Sequence, residues 1–290
     1  YKQHRENQMN KQKTVLDLQR MKTKSQKISM ITAYDYSMAK TVDAGGVDAV
    51  LVGDSVGMVF QGHPDTLSVT MEDMIYHSKC VSRGLTMAHL VVDMPFMSYQ
   101  ASVVDAVRNA GRLIKEGGAQ SVKLEGGSSV TPQIRSIVDA GIPVVAHLGL
   151  TPQAIHALGG FKVQGKGDDA QQKLKADALA VQQAGAFMLV LEMVPESLAK
   201  DITEMLDIPT IGIGAGVHCD GQVLVCNDLL GFDLSFKPKF LKRYAELESE
   251  MVSAVSQYVS DVQSMQFPTK GHSYGKGVRQ GKASNVGKLY

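Results

Sequence analysis

The stretch DAVLVGDSVGM, residues 48–58, runs apolar through Val50, Leu51 and Val52 and then meets a carboxylate at Asp54 and a hydroxyl at Ser55, with Gly53 and Gly57 beside them. The apolar run suits a buried strand. A carboxylate at its end is costly away from water unless it is paired or bound to a metal. The same order recurs along the chain. Candidate strands are KISMITAYD (27–35), DAVLVGD (48–54), HLVVDM (89–94), SVKLEG (121–126), PVVAHLG (143–149), FMLVLEM (187–193), TIGIGAG (210–216) and GQVLVCND (221–228). Several are apolar on consecutive positions, as expected of parallel strands covered by helices.

Amphipathic segments at 70–84, 100–117, 130–141, 169–184 and 196–207 lie between them. A last helix is predicted over 238–263, where Phe240, Tyr244, Leu247, Met251, Val255, Tyr258 and Val262 fall on one face. Eight strand candidates alternating with helices predict a closed (β/α)8 TIM barrel in one domain, residues 28–266. The link between the last two strands is too short for a helix, which makes the strand count the weakest part of that reading.

The bulk numbers describe an ordinary globular chain. It has 290 residues, 44% of them hydrophobic and 20% charged, and a net charge of +1. That balance gives no argument for nucleic acid or an anionic membrane, and no apolar run approaches the roughly 18 residues of a membrane span. Three cysteines without CxxC spacing point to a reducing compartment, hence the cytoplasm. Residues 1–27 form a basic extension. Met9 is a candidate natural start, and the composition is also that of a transit-peptide remnant. Residues 267–290 form a Gly-rich basic tail, predicted to be solvated and flexible.

The strand ends carry the chemistry. Asp54, Asp93, Glu125 and Glu192 each close a candidate strand, Lys123 shares a strand face with Glu125, and His147 ends the fifth strand. In a barrel these ends converge on the C-terminal rim, where barrel enzymes keep their active sites. Taken singly, each has a plainer role: a helix cap, a partner for an acid, a satisfied core histidine. Together, crowded carboxylates repel unless a cation intervenes. Oxygen donors without cysteine or paired histidine favour Mg²⁺ over Zn²⁺. Such an ion acts as a Lewis acid on a carbonyl, and a carboxylate left over is a candidate general base. GIGAG (212–216) lacks the helix that a dinucleotide fingerprint needs. His218, Cys219 and Asp220 lack spaced metal-ligand partners, and GGFKVQGKGDD (159–169) reads as a solvated loop or a flap over the mouth.

LVGDSVGM, ITAYDYS (31–37), VVDMPFMSY (91–99), KLEGG (123–127), HLGLTPQ (147–153), GGFKVQGKG (159–167), LVLEMVP (189–195) and IGIGAG with DGQ (211–222) resemble, in order and spacing, the ketopantoate hydroxymethyltransferase family. The likeness runs from about residue 28 to about 274 and departs at Phe161, where the family has Tyr. It implies a barrel of the phosphoenolpyruvate/pyruvate type, assembled as a homo-oligomer, typically a decamer. It also implies transfer of a hydroxymethyl group from 5,10-methylenetetrahydrofolate to 3-methyl-2-oxobutanoate, the first committed step toward pantothenate and coenzyme A. Carried over motif by motif, Asp54, Asp93 and Glu125 form the Mg²⁺ site, Glu125 partly through water. Ser55, Lys123 and His147 lie on the oxoacid side with Asp54 and Asp93, and Glu192 is the base. Two other readings stay open on the residues alone: an aldolase using Lys123 as a Schiff base, and a silent barrel kept as a scaffold.

Overall fold

The computed structural model of the chain describes residues 12–274. Eight parallel strands close into a barrel in chain order: β1 (Ile28–Thr32), β2 (Ala49–Val52), β3 (His89–Asp93), β4 (Ser121–Glu125), β5 (Val144–Gly149), β6 (Met188–Glu192), β7 (Thr210–Ile213) and β8 (Gly221–Leu224). Alternation along each strand divides the apolar residues into two clusters. Leu51, Val91, Val145, Met188 and Val190 fill the interior, whereas Val50, Val92, Leu124, Ala146 and Leu189 face the surrounding helices. Side chains on both faces are buried, which is why the strands read as continuous apolar runs.

The helices form where pattern and caps agree. Thr70 and Asp73 make a reciprocal capping box that starts Met71–Ser82. Val103–Lys115, Thr131–Asp139, Asp168–Gln183 and Glu196–Met205 each fall within two or three residues of the expected segments. The short link between β7 and β8 carries no helix, yet the strands still pair, Ile211 with Gly221 and Gly212 with Gln222. Gly221 lets β8 close against β1, because a Cβ there would overlap the carbonyl oxygen of Ile28.

Two expectations change. The basic extension 1–27 was expected to lie outside the barrel, but from residue 12 it is attached to it. Thr14 and Asp17 cap the helix Val15–Thr23, and fully buried Leu18 joins the interior cluster. Lys22 pairs with Asp220 at 2.8 Å and so ties this helix to the entry of β8. Partly buried Val15 and Met21 pack beside Leu18, and three apolar residues in a short polar segment leave little periodic signal to read. Residues 1–11 of the extension and 275–290 of the expected tail lie outside the described residues.

The final helix spans Leu247–Gln263, not 238–263, and none of its residues is buried. Met251, Val255, Tyr258 and Val262, which share one face, are exposed. Pattern alone records that a face is apolar and leaves open what covers it.

Asp43 holds the loop that leads into β3. Its carboxylate accepts hydrogen bonds from the backbone of Thr86 (2.9 Å), Met87 (3.1 Å) and Ala88 (2.8 Å), and from the Thr86 hydroxyl (2.6 Å). Burial raises its pKa, but these donors outweigh burial and hold it below the usual carboxylate value. Asp43→Ala leaves the buried Ala88 N–H and the partly buried donors of Thr86 and Met87 without their acceptor and should cost about 1–3 kcal/mol near neutral pH. The native contribution is full above the unfolded pKa and is lost as pH falls through the depressed folded value. Urea unfolding of parent and variant should therefore show a gap that narrows below about pH 3. A gap equally wide in acid would refute the assignment.

Candidate active site

The strand register brings the charged residues to one rim. Asp93 stands beside Lys123, Glu125 beside His147, and Gly149 beside Glu192. Asp93, Lys123, Glu125, His147 and Glu192 continue the alternation of Val91, Val145 and Val190, so they cap the interior cluster at the C-terminal mouth. Asp54 joins them just beyond β2, its backbone N–H donating to Asp93 Oδ2 at 3.0 Å. Asp54, Asp93, Lys123, Glu125 and His147 are all buried, whereas the Glu192 side chain keeps 17% of its exposure. Ser55 is half-buried, and its hydroxyl lies 2.8 Å from that of Tyr34.

Opposite charges face each other closely. Lys123 Nζ lies 3.0 Å from Asp93 Oδ1. His147 bridges two acids, with Nδ1 3.3 Å from Glu125 Oε1 and Nε2 3.3 Å from Glu192 Oε2. Lys123 Nζ is also 3.3 Å from His147 Nδ1. The ions attract at these distances, but Asp93 Oδ1, Glu125 Oε1 and His147 Nε2 lack an aligned hydrogen-bond partner. The two carboxylate oxygens among them, ion-paired but without an aligned hydrogen bond, are of the kind that a metal cation also takes.

The electrostatics agree. Burial, then the charges of Asp93 and Glu125, push Asp54 well above its ordinary pKa. Burial also raises Asp93, against the pull of Lys123. Glu125 is lowered, because His147, Lys123 and the Gln153 N–H outweigh burial. Lys123 is raised, because burial is outweighed by Asp93, Glu125 and Asp54. His147 rises to about 9, because the two glutamates outweigh burial and Lys123. The cluster is thus short of positive charge at Asp54, where a cation would relieve it. The donors there are oxygens, the chemistry of Mg²⁺. Among the described residues, no three His, Cys, Asp or Glu side chains stand close enough to hold an ion by themselves. The protein offers part of a shell that substrate and water oxygens can complete.

The backbone fixes Glu192. Gly149 has φ +94°, and a Cβ there would overlap the Glu192 carbonyl oxygen. That carbonyl accepts from Leu150 N at 2.8 Å. Met193 then turns the chain with φ +46°, a conformation non-glycine residues seldom adopt and one that clusters at functional sites.

Three residues beside the site lie within the quoted motifs, but no local pattern gave them a role. Gln153 donates to Asp54 Oδ2, Tyr99 touches Glu125 through its backbone, and Tyr34 meets Ser55. Each sits in a loop just past a strand, far in sequence from its partner. His218, Cys219 and Asp220 form no centre; Asp220 takes Lys22 and Thr210 where β7 and β8 begin, away from the mouth.

Comparison with known proteins agrees with this architecture. A barrel of phosphonopyruvate hydrolase, crystallised with oxalate and Mg²⁺, superposes with a TM-score of 0.59 at 11% identity over 90% of this chain and 93% of that one. 2,3-Dimethylmalate lyase, of the PEP mutase/isocitrate lyase superfamily, gives 0.58 at 16% identity over 92% and 91%. At such identities the likeness speaks for the fold. Sequence relatives are much nearer. The 3-methyl-2-oxobutanoate hydroxymethyltransferase of Geobacter sulfurreducens is 57% identical over 92% of this chain and 100% of its own length. That of Syntrophotalea carbinolica is 58% identical, again over 92% of this chain and 100% of the relative. The profile of the ketopantoate hydroxymethyltransferase family matches residues 12–270, which takes in the N-terminal helix as well as all eight strands. This chain is a member of the ketopantoate hydroxymethyltransferase family.

Proposed function

We propose that this chain transfers the one-carbon unit of 5,10-methylenetetrahydrofolate to 3-methyl-2-oxobutanoate as a hydroxymethyl group, with one water consumed to supply its oxygen, giving 2-dehydropantoate and tetrahydrofolate, the first committed step toward pantothenate and coenzyme A. The observation that carries the reading is the buried rim of Asp54, Asp93, Lys123, Glu125 and His147, with the more accessible Glu192 across from Asp54 and Asp93. Asp54 and Asp93 are the residues that would hold Mg²⁺, with Glu125 acting through water. When bound, the ion supplies Lewis-acid stabilisation of the charge that develops on the keto oxygen.

The protein's own groups do the rest. Lys123, held protonated by its acids, neutralises the oxoacid carboxylate. Ser55, its hydroxyl against Tyr34, donates to the same end of the substrate. One Glu192 carboxylate oxygen takes the proton from C3, while the other is held near His147. The resulting carbanion equivalent attacks the one-carbon unit of the folate. His147, buried between Glu125 and Glu192, serves the substrate side by fixing both acids.

A Schiff base at Lys123 fits less well, because it needs a neutral amine and three buried carboxylates favour the ammonium. The reading extends to a homo-oligomer, a decamer by family likeness. Exposed Met251, Val255, Tyr258 and Val262 on one helix face support self-association. Among the described residues no helix is long and apolar enough to cross a membrane, and a cytoplasmic site of action belongs to the same proposal.

The experiment is formation of ketopantoate from the two substrates, with and without EDTA. Product is expected, lost on chelation and restored by Mg²⁺. No product would overturn the function, and full turnover in EDTA would overturn the metal.

A further inference from the structure

Gln153 touches both ends of the acid cluster. It lies in the short turn Pro152–Ala154 after β5 and is 6% exposed. Its backbone N–H donates to Glu125 Oε2 at 3.0 Å. Its side-chain Nε2 donates to Asp54 Oδ2 and to the Met94 carbonyl oxygen, both at 2.9 Å. Its Oε1 accepts from the Tyr99 hydroxyl at 2.7 Å and from Gln100 Nε2 at 3.0 Å.

The neighbours decide which way the amide points. The Met94 carbonyl can only accept, so the nitrogen must face it and, with it, Asp54. The Tyr99 oxygen accepts the Glu125 N–H at 3.0 Å, and its nearest acceptor for its own proton is Gln153 Oε1. A flipped amide would set oxygen against oxygen at both Asp54 and Met94.

We propose that Gln153 is a positioning residue that clamps Asp54 and Glu125 in one geometry, leaving Asp54 Oδ1 to a divalent cation and Glu125 Oε1, beside His147, to that cation's water. The clamp occupies Asp54 Oδ2 and Glu125 Oε2, and Glu125 Oε1 remains buried without an aligned donor. A neutral amide orients a carboxylate without cancelling the charge that attracts the ion, which a lysine in its place would do. Hydrogen bonds of this kind around ligating carboxylates are worth about 10–100-fold in metal affinity. The inference rests on the metal reading given above, and its test separates the two.

Mn²⁺ serves as the probe, titrated into the full chain and followed by electron paramagnetic resonance. Gln153→Met keeps the length and the backbone N–H but removes the donor to Asp54. Its Mn²⁺ dissociation constant should rise about 10–100-fold. Half-maximal activity should need correspondingly more ion, with turnover at saturating ion within a few-fold of the parent. Excess ion would not rescue a general packing defect in this way. Tyr99→Phe, which frees the amide to flip, should weaken Mn²⁺ binding in the same direction and serves if Gln153→Met does not fold. Parent-like Mn²⁺ affinity in a folded variant overturns the role of Gln153 alone. A parent protein that binds no Mn²⁺ overturns the metal reading and this inference together.

Discussion

Glu192→Gln is expected to lower turnover by about 10²–10⁴-fold and to abolish solvent-deuterium exchange at C3 of the oxoacid. The substitution keeps size and shape and removes the negative charge, and with it the ability to take a proton. The other acids are poorly placed for that task. Glu125 Oε2 is engaged by the Gln153 N–H and Asp54 Oδ2 by its side-chain amide, while Asp93 is paired with Lys123. Glu192 combines partial exposure with a backbone fixed by Leu150 and Gly149. Divalent-ion and oxoacid affinity should therefore change little, because the variant leaves the groups assigned to both intact. Exchange at the parental rate in Glu192→Gln would move the base elsewhere.

The same geometry explains which parts of the site could be read from the chain. Asp93, Glu125 and Glu192 were legible because each ends a strand, after an unbroken apolar run for Asp93 and Glu192, and in a parallel barrel every strand end reaches the same rim. Lys123 followed from the period of two, which sets it on the face of Glu125. Gln153 was not legible, although HLGLTPQ was noted. Its partner Asp54 is 99 residues away, and nothing local marks a loop amide as a clamp. The N-terminal helix escaped for a related reason: Val15, Leu18 and Met21 pack inward, but the helix has 9 residues and is too short for their spacing to stand out as a period. The last helix shows the opposite limit. Its period is clear, yet 238–246 does not join it and the apolar face is uncovered on the single chain. Local pattern reads burial within an element well and reads contacts between distant loops poorly.

Lys123→Met should be the most damaging single change to the fold as well as to the site. The ammonium is buried against Asp93 and within the field of Glu125 and Asp54. Replacing it with an apolar chain of similar length leaves three buried carboxylates facing His147 without the ammonium that balanced them. Removing one partner of a buried pair typically costs about 3–5 kcal/mol. For a chain of this size that is a fall in melting temperature of roughly 6–20 °C. The loss should be smaller with Mg²⁺ present, because an ion at Asp54 and Asp93 takes over part of the missing charge. Catalysis should not recover with the ion, since the oxoacid carboxylate has lost its counter-charge, and its KM should rise at least tenfold. Melting curves with and without Mg²⁺, beside oxoacid saturation kinetics, separate the two effects. A variant that melts with the parent and keeps its KM would show that the charge of Asp93 is balanced by some other group, and the roles given to this strand pair would fall with it.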